Sequence, residues 1–257
     1  MMDSKLRFSS RVENYVKYRP GYPAGLIATL RQSCGITSSS LIADIGSGTG
    51  LFARQFLEMG CQVIGIEPNL EMRQAGDRIL AEFPTFSSRD GSAEHTGLDD
   101  SSVDLVSAGQ AFHWFERAAA RQEFLRVLKP GGWVVLAWNE RRLNSTPFLR
   151  EYEALLQHYG TDYARVNHLN VENDPSAIPG FFGGSFQEIR YDNLQRFDFE
   201  GVKGRLLSSS YVPDSDQPGY AAMLAELREI FDRRQLQGML DFEYDTRMFW
   251  GHLSTSA

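Results

Sequence analysis

Between residues 41 and 139, short apolar runs alternate with stretches of mixed polarity, a rhythm that predicts strands and helices in turn. The runs at 41–44, 62–67, 85–88, 103–108 and 133–139 read as strands. Segments 50–59, 70–83 and 116–128 read as the helices between them, and Lys129-Pro130-Gly131-Gly132 as a helix stop and turn. Alternation with short connections predicts an α/β fold, a mostly parallel sheet wound by helices on both faces. Right-handed crossovers then bring the carboxyl ends of the strands, and with them the ligand crevice, to one edge.

Outside that region the pattern loosens. A polar, aromatic-rich lead (Phe8, Tyr15, Tyr18, Tyr22) precedes a helix predicted from Ala24 to Cys34, where Leu26, Ile27 and Leu30 share a face. Residues 141–184 hold a helical piece at 148–159. Turn signals follow at Asn173-Asp174-Pro175, Ile178-Pro179-Gly180 and Phe182-Gly183-Gly184, as expected of a small cap inserted over the ligand edge. Further on, 186–197 alternates as a strand, Tyr220, Met223, Leu224, Leu227, Ile230 and Phe231 mark an amphipathic helix, and 242–250 closes the chain as a strand. These late strands are expected to pair as a partly antiparallel edge. The chain, 1–257, reads as one domain: a lead and helix (1–36), a core (41–139), a cap (141–184) and a final part (185–257) that completes the sheet.

The candidate chemistry lies on the carboxyl edge. Asp44-Ile45-Gly46-Ser47-Gly48-Thr49-Gly50 follows the first predicted strand, and Glu67, seventeen residues after Gly50, ends the second. Glycines let a ligand approach the backbone, and a carboxylate at the next strand end accepts hydrogen bonds from ribose hydroxyls. A dinucleotide turn would place its third glycine at Leu51, and a carboxylate at Asp44 would repel a pyrophosphate. The loop therefore favours a cationic nucleoside, S-adenosylmethionine, over a nicotinamide dinucleotide. Asp90-Gly91-Ser92-Ala93-Glu94 follows the third strand, where the Ala93 amide and the Ser92 hydroxyl would meet an adenine; a polar turn is an equal reading. Gln110-Ala111-Phe112-His113-Trp114-Phe115 follows the fourth. His113 suits a general base, because an unperturbed imidazole titrates near neutrality, and equally a group that positions substrate. Core packing is an equal alternative for Phe112 and Trp114.

Together these residues resemble the class I S-adenosylmethionine-dependent methyltransferases, strongly over 41–139 and more loosely elsewhere. Asp44 to Gly50 is similar to the family's first motif, Glu67 to its ribose-binding acid, Ser92-Ala93-Glu94 to its adenine-side motif, and Leu128 to Gly132 to its turn before strand five. Within the family the chain resembles a small-molecule branch that includes trans-aconitate methyltransferase-like proteins, on Tyr15 to Pro23, Ala111 to Phe115 and Trp138-Asn139-Glu140-Arg141. The resemblance implies a Rossmann-like seven-stranded sheet with an antiparallel last strand and an amino-terminal lid. It implies a cofactor set of Tyr15, Arg19, Asp44, Gly46, Ser47, Gly48, Gly50, Glu67, Pro68, Met72, Ser92, Ala93, Glu94, Gln110, Ala111 and Phe112. Tyr22, Trp114 and Arg141 would face a small-molecule acceptor, with His113 as the candidate catalytic group. No Asn-Pro-Pro-Tyr follows strand four, which argues against exocyclic amines and glutamine amides as acceptors. No carboxylate and histidine cluster marks a metal site.

Bulk properties narrow the partners. A net charge of −7 and no basic run argue against nucleic-acid binding. No 18-residue apolar stretch and a polar amino terminus argue against a membrane span or signal segment, so a cytoplasmic location is expected. The two cysteines, Cys34 and Cys61, lack metal spacing and are expected as free thiols. Two rival functions remain: a non-catalytic S-adenosylmethionine-binding module, and a nicotinamide-dependent oxidoreductase disfavoured by the glycine spacing.

Overall fold

A computed structural model describes residues 12–161, 163 and 174–254; Phe8 at the start of the lead and Asn173 in the expected cap lie outside the described residues. Strands β1 (Leu41–Ile45), β2 (Gln62–Ile66), β3 (Phe86–Arg89), β4 (Val103–Gly109), β5 (Leu128–Arg141), β6 (Phe186–Phe197) and β7 (Leu240–Gly251) form one sheet in the order β3-β2-β1-β4-β5-β7-β6. The first five pair in parallel, and β7 runs antiparallel to both β5 and β6. From β1 the chain moves outward to β2 and β3, then returns to lay β4 on the other side of β1. The strand order therefore reverses between β1 and β4, and a crevice opens there at the carboxyl ends.

Period-two alternation explains how the sheet holds helices on both faces. Ala43, Ile45, Val106, Ala108, Val134, Leu136 and Trp138 point into one buried cluster, while Ile42, Leu105, Val135 and Ala137 point into the other. The first cluster takes α5 (Arg117–Val127) and α7 (Ala177–Phe182); the second takes α2 (Ala24–Cys34) and α3 (Ala53–Glu58). Side-chain caps set several starts. Asn69 Oδ1 accepts from Met72 N at the head of α4 (Leu70–Ile79), and Glu116 accepts from Ala118 and Ala119 N ahead of α5. Both cysteines are free, and burial pushes the Cys34 thiol up to about 12 and the Cys61 thiol up to about 11.

Three boundaries differ from the sequence reading. The helix expected at 50–59 begins only at Ala53, because Gly50 takes φ 82° and residues 51–52 turn before the helix can start. The helix expected at 70–83 stops at Ile79. The expected turn at Lys129–Gly132 is absorbed into β5. The pairing with β4 jumps from Val103↔Leu128 to Leu105↔Trp133, so this segment bulges out of register, with Gly131 at φ 76°.

Stretch 141–184 does not pack as one cap. Helix α6 (Pro147–Tyr159) joins α8 (Phe199–Leu207), α9 (Tyr220–Arg234) and the start of β7 in a third cluster around Phe148, Tyr152, Leu206, Phe231 and Phe242. In contrast, α7 buries Ile178, Phe181 and Phe182 in the main core. The lead contributes α1 (Val12–Tyr18), which packs on α8; Gly204 leaves room for the Tyr18 ring, and Tyr18 meets Phe197 edge-on at 6.0 Å.

A β-carbon at Gly50 would run into Leu80 Cδ1, and φ 82° disfavours any L side chain. Gly50→Ala is expected to lower the unfolding free energy by about 2 kcal/mol or more, the sum of backbone strain and overpacking, as read from urea denaturation midpoints at constant m.

Candidate active site

The glycine loop is tied to the end of β2. Gly46 N and Ser47 N both donate to Ile66 O, at 2.8 and 3.2 Å, and Gly48 N donates to Glu67 Oε2 at 2.9 Å. Gly46 and Gly48 hold φ 65° and 57°. A Cβ on Gly46 would come 2.6 Å from the Ala111 β-carbon, so glycine also lets the β4 loop close against the β1 loop.

Two carboxylates flank the loop. Asp44 is 1% exposed; its Oδ1 accepts from Ser107 Oγ at 2.7 Å, and its buried Oδ2 has no partner. Burial pushes its carboxyl up to about 7, with the nearby Glu67 charge adding to the rise and the Ser107 hydroxyl opposing it. Glu67 is buried too. Its Oε1 accepts from Asn69 N at 2.9 Å and its Oε2 from Gly48 N, which leaves each oxygen a further lone pair. Burial raises its pKa, while the two amides and the Arg73 charge oppose the rise.

Facing them is the loop after β4. Gln110 holds φ 58°, unusual for a side-chain residue, and is pinned three times to β5: its N to Ala137 O at 2.9 Å, its Oε1 from Asn139 N at 2.8 Å, and its Nε2 to Asn139 O at 3.3 Å. His113 and Trp114 then sit on one short 3₁₀ turn, ring centroids 4.8 Å apart. His113 keeps some surface, yet protein surrounds the ring closely enough that burial lowers its pKa to about 4. Tyr22 packs on Phe52 at 4.5 Å and extends its hydroxyl to Gly109, where a Cβ could not fit; burial pushes the phenol well above its ordinary value. These groups line two joined cavities. One, of about 1000 Å³, runs along Glu67, Met72, Ala93 and Phe115. The other, of about 780 Å³, lies among Asp44, Tyr22, His113 and Arg19. Tyr15, Gly46, Gly48, Gly109, Gln110 and Trp114 border both.

This arrangement coincides with a known family. Residues 43–136 match the model of a methyltransferase domain. An uncharacterized methyltransferase of Schizosaccharomyces pombe (strain 972) is 30% identical over 241 residues, covering 91% of this chain and 92% of the relative. A second S. pombe protein, an uncharacterized methyltransferase-like one, is 35% identical over 246 residues, covering 94% and 93%. The solved structure of a candidate type II methyltransferase from Anaeromyxobacter dehalogenans shares the fold, with TM-score 0.67 at 21% identity over 92% of this chain and 98% of that one. The chain belongs to the class I S-adenosylmethionine-dependent methyltransferases.

The methyltransferase cleft gathers Tyr15, Arg19, Tyr22, Asp44, Gly46, Ser47, Gly48, Glu67, Pro68, Met72, Ser92, Ala93, Glu94, Gln110, Ala111, His113 and Trp114. Phe112, expected at the cofactor, is instead fully buried in the core, edge-on to Phe181 at 4.8 Å and to Trp138 at 5.9 Å. The 3₁₀ turn points it inward and leaves Trp114 42% exposed. Gly50 also misses the lining; it packs on Leu80 behind the loop. Arg141 borders an adjoining cavity and is paired with Glu153 at 2.5 Å. Asn69, Phe52, Gly109, Asn139 and Tyr211 line the site unannounced by sequence. Of these, Asn69 carried a readable signal, a helix-capping asparagine two residues after Glu67.

The residues present fit the family's cofactor. Asp44 Oδ2, buried and without a hydrogen-bond partner among the described residues, suits an ammonium, and Glu67 retains lone pairs for ribose hydroxyls. The Ala93 N–H, without an acceptor among the described residues, suits an adenine nitrogen. Glu94 is spent otherwise, its Oε1 accepting from Glu116 N at 2.8 Å. Among the described residues no group of three or more metal-ligating side chains is found, and no helix is long and apolar enough to cross a membrane.

Because burial raises the folded pKa of Asp44 above its unfolded value, the native state holds that proton more tightly. The resulting loss of stability accrues as pH rises above the ordinary carboxyl range and is complete above about 7. Asp44→Asn should therefore raise the melting temperature of the ligand-free enzyme more at pH 8 than at pH 5. The same change should weaken S-adenosylhomocysteine, whose ammonium loses its carboxylate, by at least tenfold at pH 8 by calorimetry. In the wild type, affinity for S-adenosylhomocysteine should decline as pH falls below about 7, with proton release on binding.

Proposed function

We propose that the enzyme transfers the methyl group of S-adenosylmethionine to an oxygen, a carboxylate or hydroxyl, of a small molecule held in the cavity among Tyr22, His113 and Arg19. The observation that carries this reading is the enclosure of that cavity. It continues from the cofactor cavity beyond Gly46 and Gly109, and Tyr15 and Arg19 cover it from the lead. A protein or nucleic-acid acceptor would need a wider opening and, for nucleic acid, a basic rim.

The bound cofactor would supply an electrophilic methyl on a sulfonium, which departs as a neutral thioether. The protein's part is then orientation and exclusion of water, and alignment alone is worth up to about 7–11 kcal/mol in the best cases. Asp44, its carboxyl raised to about 7, lies at the cofactor side of this cavity and is assigned there to the cofactor's ammonium. His113 is neutral, with its basicity reduced by burial to about 4, and the Tyr22 phenol is held protonated. An acceptor already ionised, a carboxylate, needs no base and suits this chemistry better than an amine or phenol. His113 then acts as a neutral hydrogen-bonding group that positions the acceptor, beside Tyr22 and the rim residue Trp114. A binding module without catalysis would share the cofactor pocket and predicts no turnover.

Incubating the enzyme with S-adenosylmethionine and a panel of small carboxylic acids and phenols, with S-adenosylhomocysteine release as readout, tests the reading; silence across the panel despite cofactor binding would favour the binding module. His113→Ala should lower kcat at least tenfold and leave the S-adenosylhomocysteine Kd within about twofold, whereas His113→Asn should recover part of the loss. The kcat profile should show no limb near pH 6.5, since His113 stays neutral through that range.

A further inference from the structure

Beyond Asn139 lies another cavity, lined by Arg19, Arg141, Arg205, Glu140, Tyr163 and Tyr211 among others. Arg19, Pro20, Gln110, Asn139 and Tyr211 border both cavities, so the two adjoin. Three guanidiniums meet here. Arg205 is 4% exposed, and its hydrogen bonds go only to neutral oxygens: Nε to Tyr244 Oη at 3.0 Å, and Nη1 to Ser209 Oγ at 3.3 Å and Ser208 Oγ at 3.4 Å. Arg19 gives Nη2 to Ser208 O at 2.9 Å, and its buried Nε has no partner. Neither pairs with a carboxylate among the described residues. Arg141 pairs with Glu153, and its buried Nη1 has no partner.

Against these three cations stand, among the described residues, two acids. Glu153 is shared between Arg141 and the Tyr163 hydroxyl, and Glu140 faces Arg247 at 3.4 Å. The guanidiniums also lie over the rings of Tyr15, Tyr152 and Tyr244, at 5.0, 5.0 and 5.9 Å from the centroids. Such contacts are weaker than the desolvation of a buried cation and do not replace a counter-ion. Burial and then the Arg205 charge lower the Arg19 pKa, whereas those of Arg141 and Arg205 rise, burial being outweighed there by the nearby tyrosines. Buried cations with donors to spare call for an anion, and planar guanidiniums match the geometry of carboxylate and phosphate.

We propose that Arg205, with Arg141 and Arg19, binds an oxyanion, carboxylate or phosphate, carried by the acceptor at a point remote from its methylated oxygen. The proposal rests on the reading of the adjoining cavity as the acceptor site. The acceptor would then span both cavities, nucleophile beside Tyr22 and His113, anionic group beyond Asn139. Arg205 lies more than sixty residues from the cofactor motifs and is a specificity determinant in this assignment.

Calorimetry on the full chain saturated with S-adenosylhomocysteine tests it, with succinate and inorganic phosphate as probes and sodium chloride at matched ionic strength as control. At least one probe should bind the wild type and raise its melting temperature; which one binds tells carboxylate from phosphate. Arg205→Gln, which can still hydrogen-bond its neutral neighbours, should weaken that probe at least tenfold with the S-adenosylhomocysteine Kd within about twofold. Absence of binding by both probes to the loaded wild type would overturn the proposal, and that arm does not depend on any variant folding. Equal weakening of S-adenosylhomocysteine and probe by Arg205→Gln would also overturn it, because the anion held would be the cofactor's own carboxylate. Failure of the underlying reading looks different: the wild type would bind S-adenosylhomocysteine, yet release none from S-adenosylmethionine with any acid or phenol of the panel.

Discussion

One peptide carbonyl and one side chain at the end of β2 organise the site. Ile66 O receives two successive amides of the glycine loop, and Glu67 receives the third donor from Gly48. A loop of positive-φ glycines would otherwise be free to choose among many shapes, and its entropy would oppose any single one. Fastened at that point, it presents Asp44 on one side and the cavity floor on the other, and it leaves no space at Gly46 for anything larger than hydrogen against Ala111. Gln110, held at φ 58° by its grip on β5, closes the facing wall. Both walls are anchored to strand ends, so the sheet's rigidity becomes the cleft's rigidity.

Charge gives the cleft a direction. At one end Asp44 is a buried carboxylate with an unpartnered oxygen; at the other, guanidiniums outnumber the acids near them. Each is costly alone, because low-dielectric surroundings strengthen attraction to a ligand and penalise an unpaired ion equally. A cationic cofactor at the first end and an anionic acceptor at the second would relieve both costs and line the reactants up between them. In the proposed reaction, that electrostatic polarity would orient the reactants without calling on a strong acid or base.

Much of this was legible along the chain. Apolar runs at 103–108 and 133–139 marked strands, and the structure sends neighbouring residues to opposite clusters, as for strands buried on both faces. The glycine spacing, Asp44 and Glu67 marked the cofactor end. Other features were opaque because local pattern is degenerate. Phe112 and Trp114 are two large aromatics two residues apart, yet a 3₁₀ turn buries the first and leaves the second at the rim. The stretch 141–184 looked like one insert because its turn signals are continuous. Two of its described helices nevertheless part company, since α6 finds its apolar partners in α8 and α9, and α7 finds them beneath the sheet.

The sequence by itself determined the strand and helix alternation, the glycine turn and the acid after β2, because each is a short-range matter of backbone freedom and side-chain period. Tertiary structure alone decided which arginines are buried together and left without carboxylates. Arg19, Arg141 and Arg205 come from the lead, the end of β5 and the last turn of α8. No local pattern links them; they meet because α1 packs on α8 and the chain just after α1 is tied by Pro20 O and Gly21 O to Asn139 of β5. Charge counted along the chain is a surface average, whereas the field that selects a ligand is set by the few charges that folding removes from water.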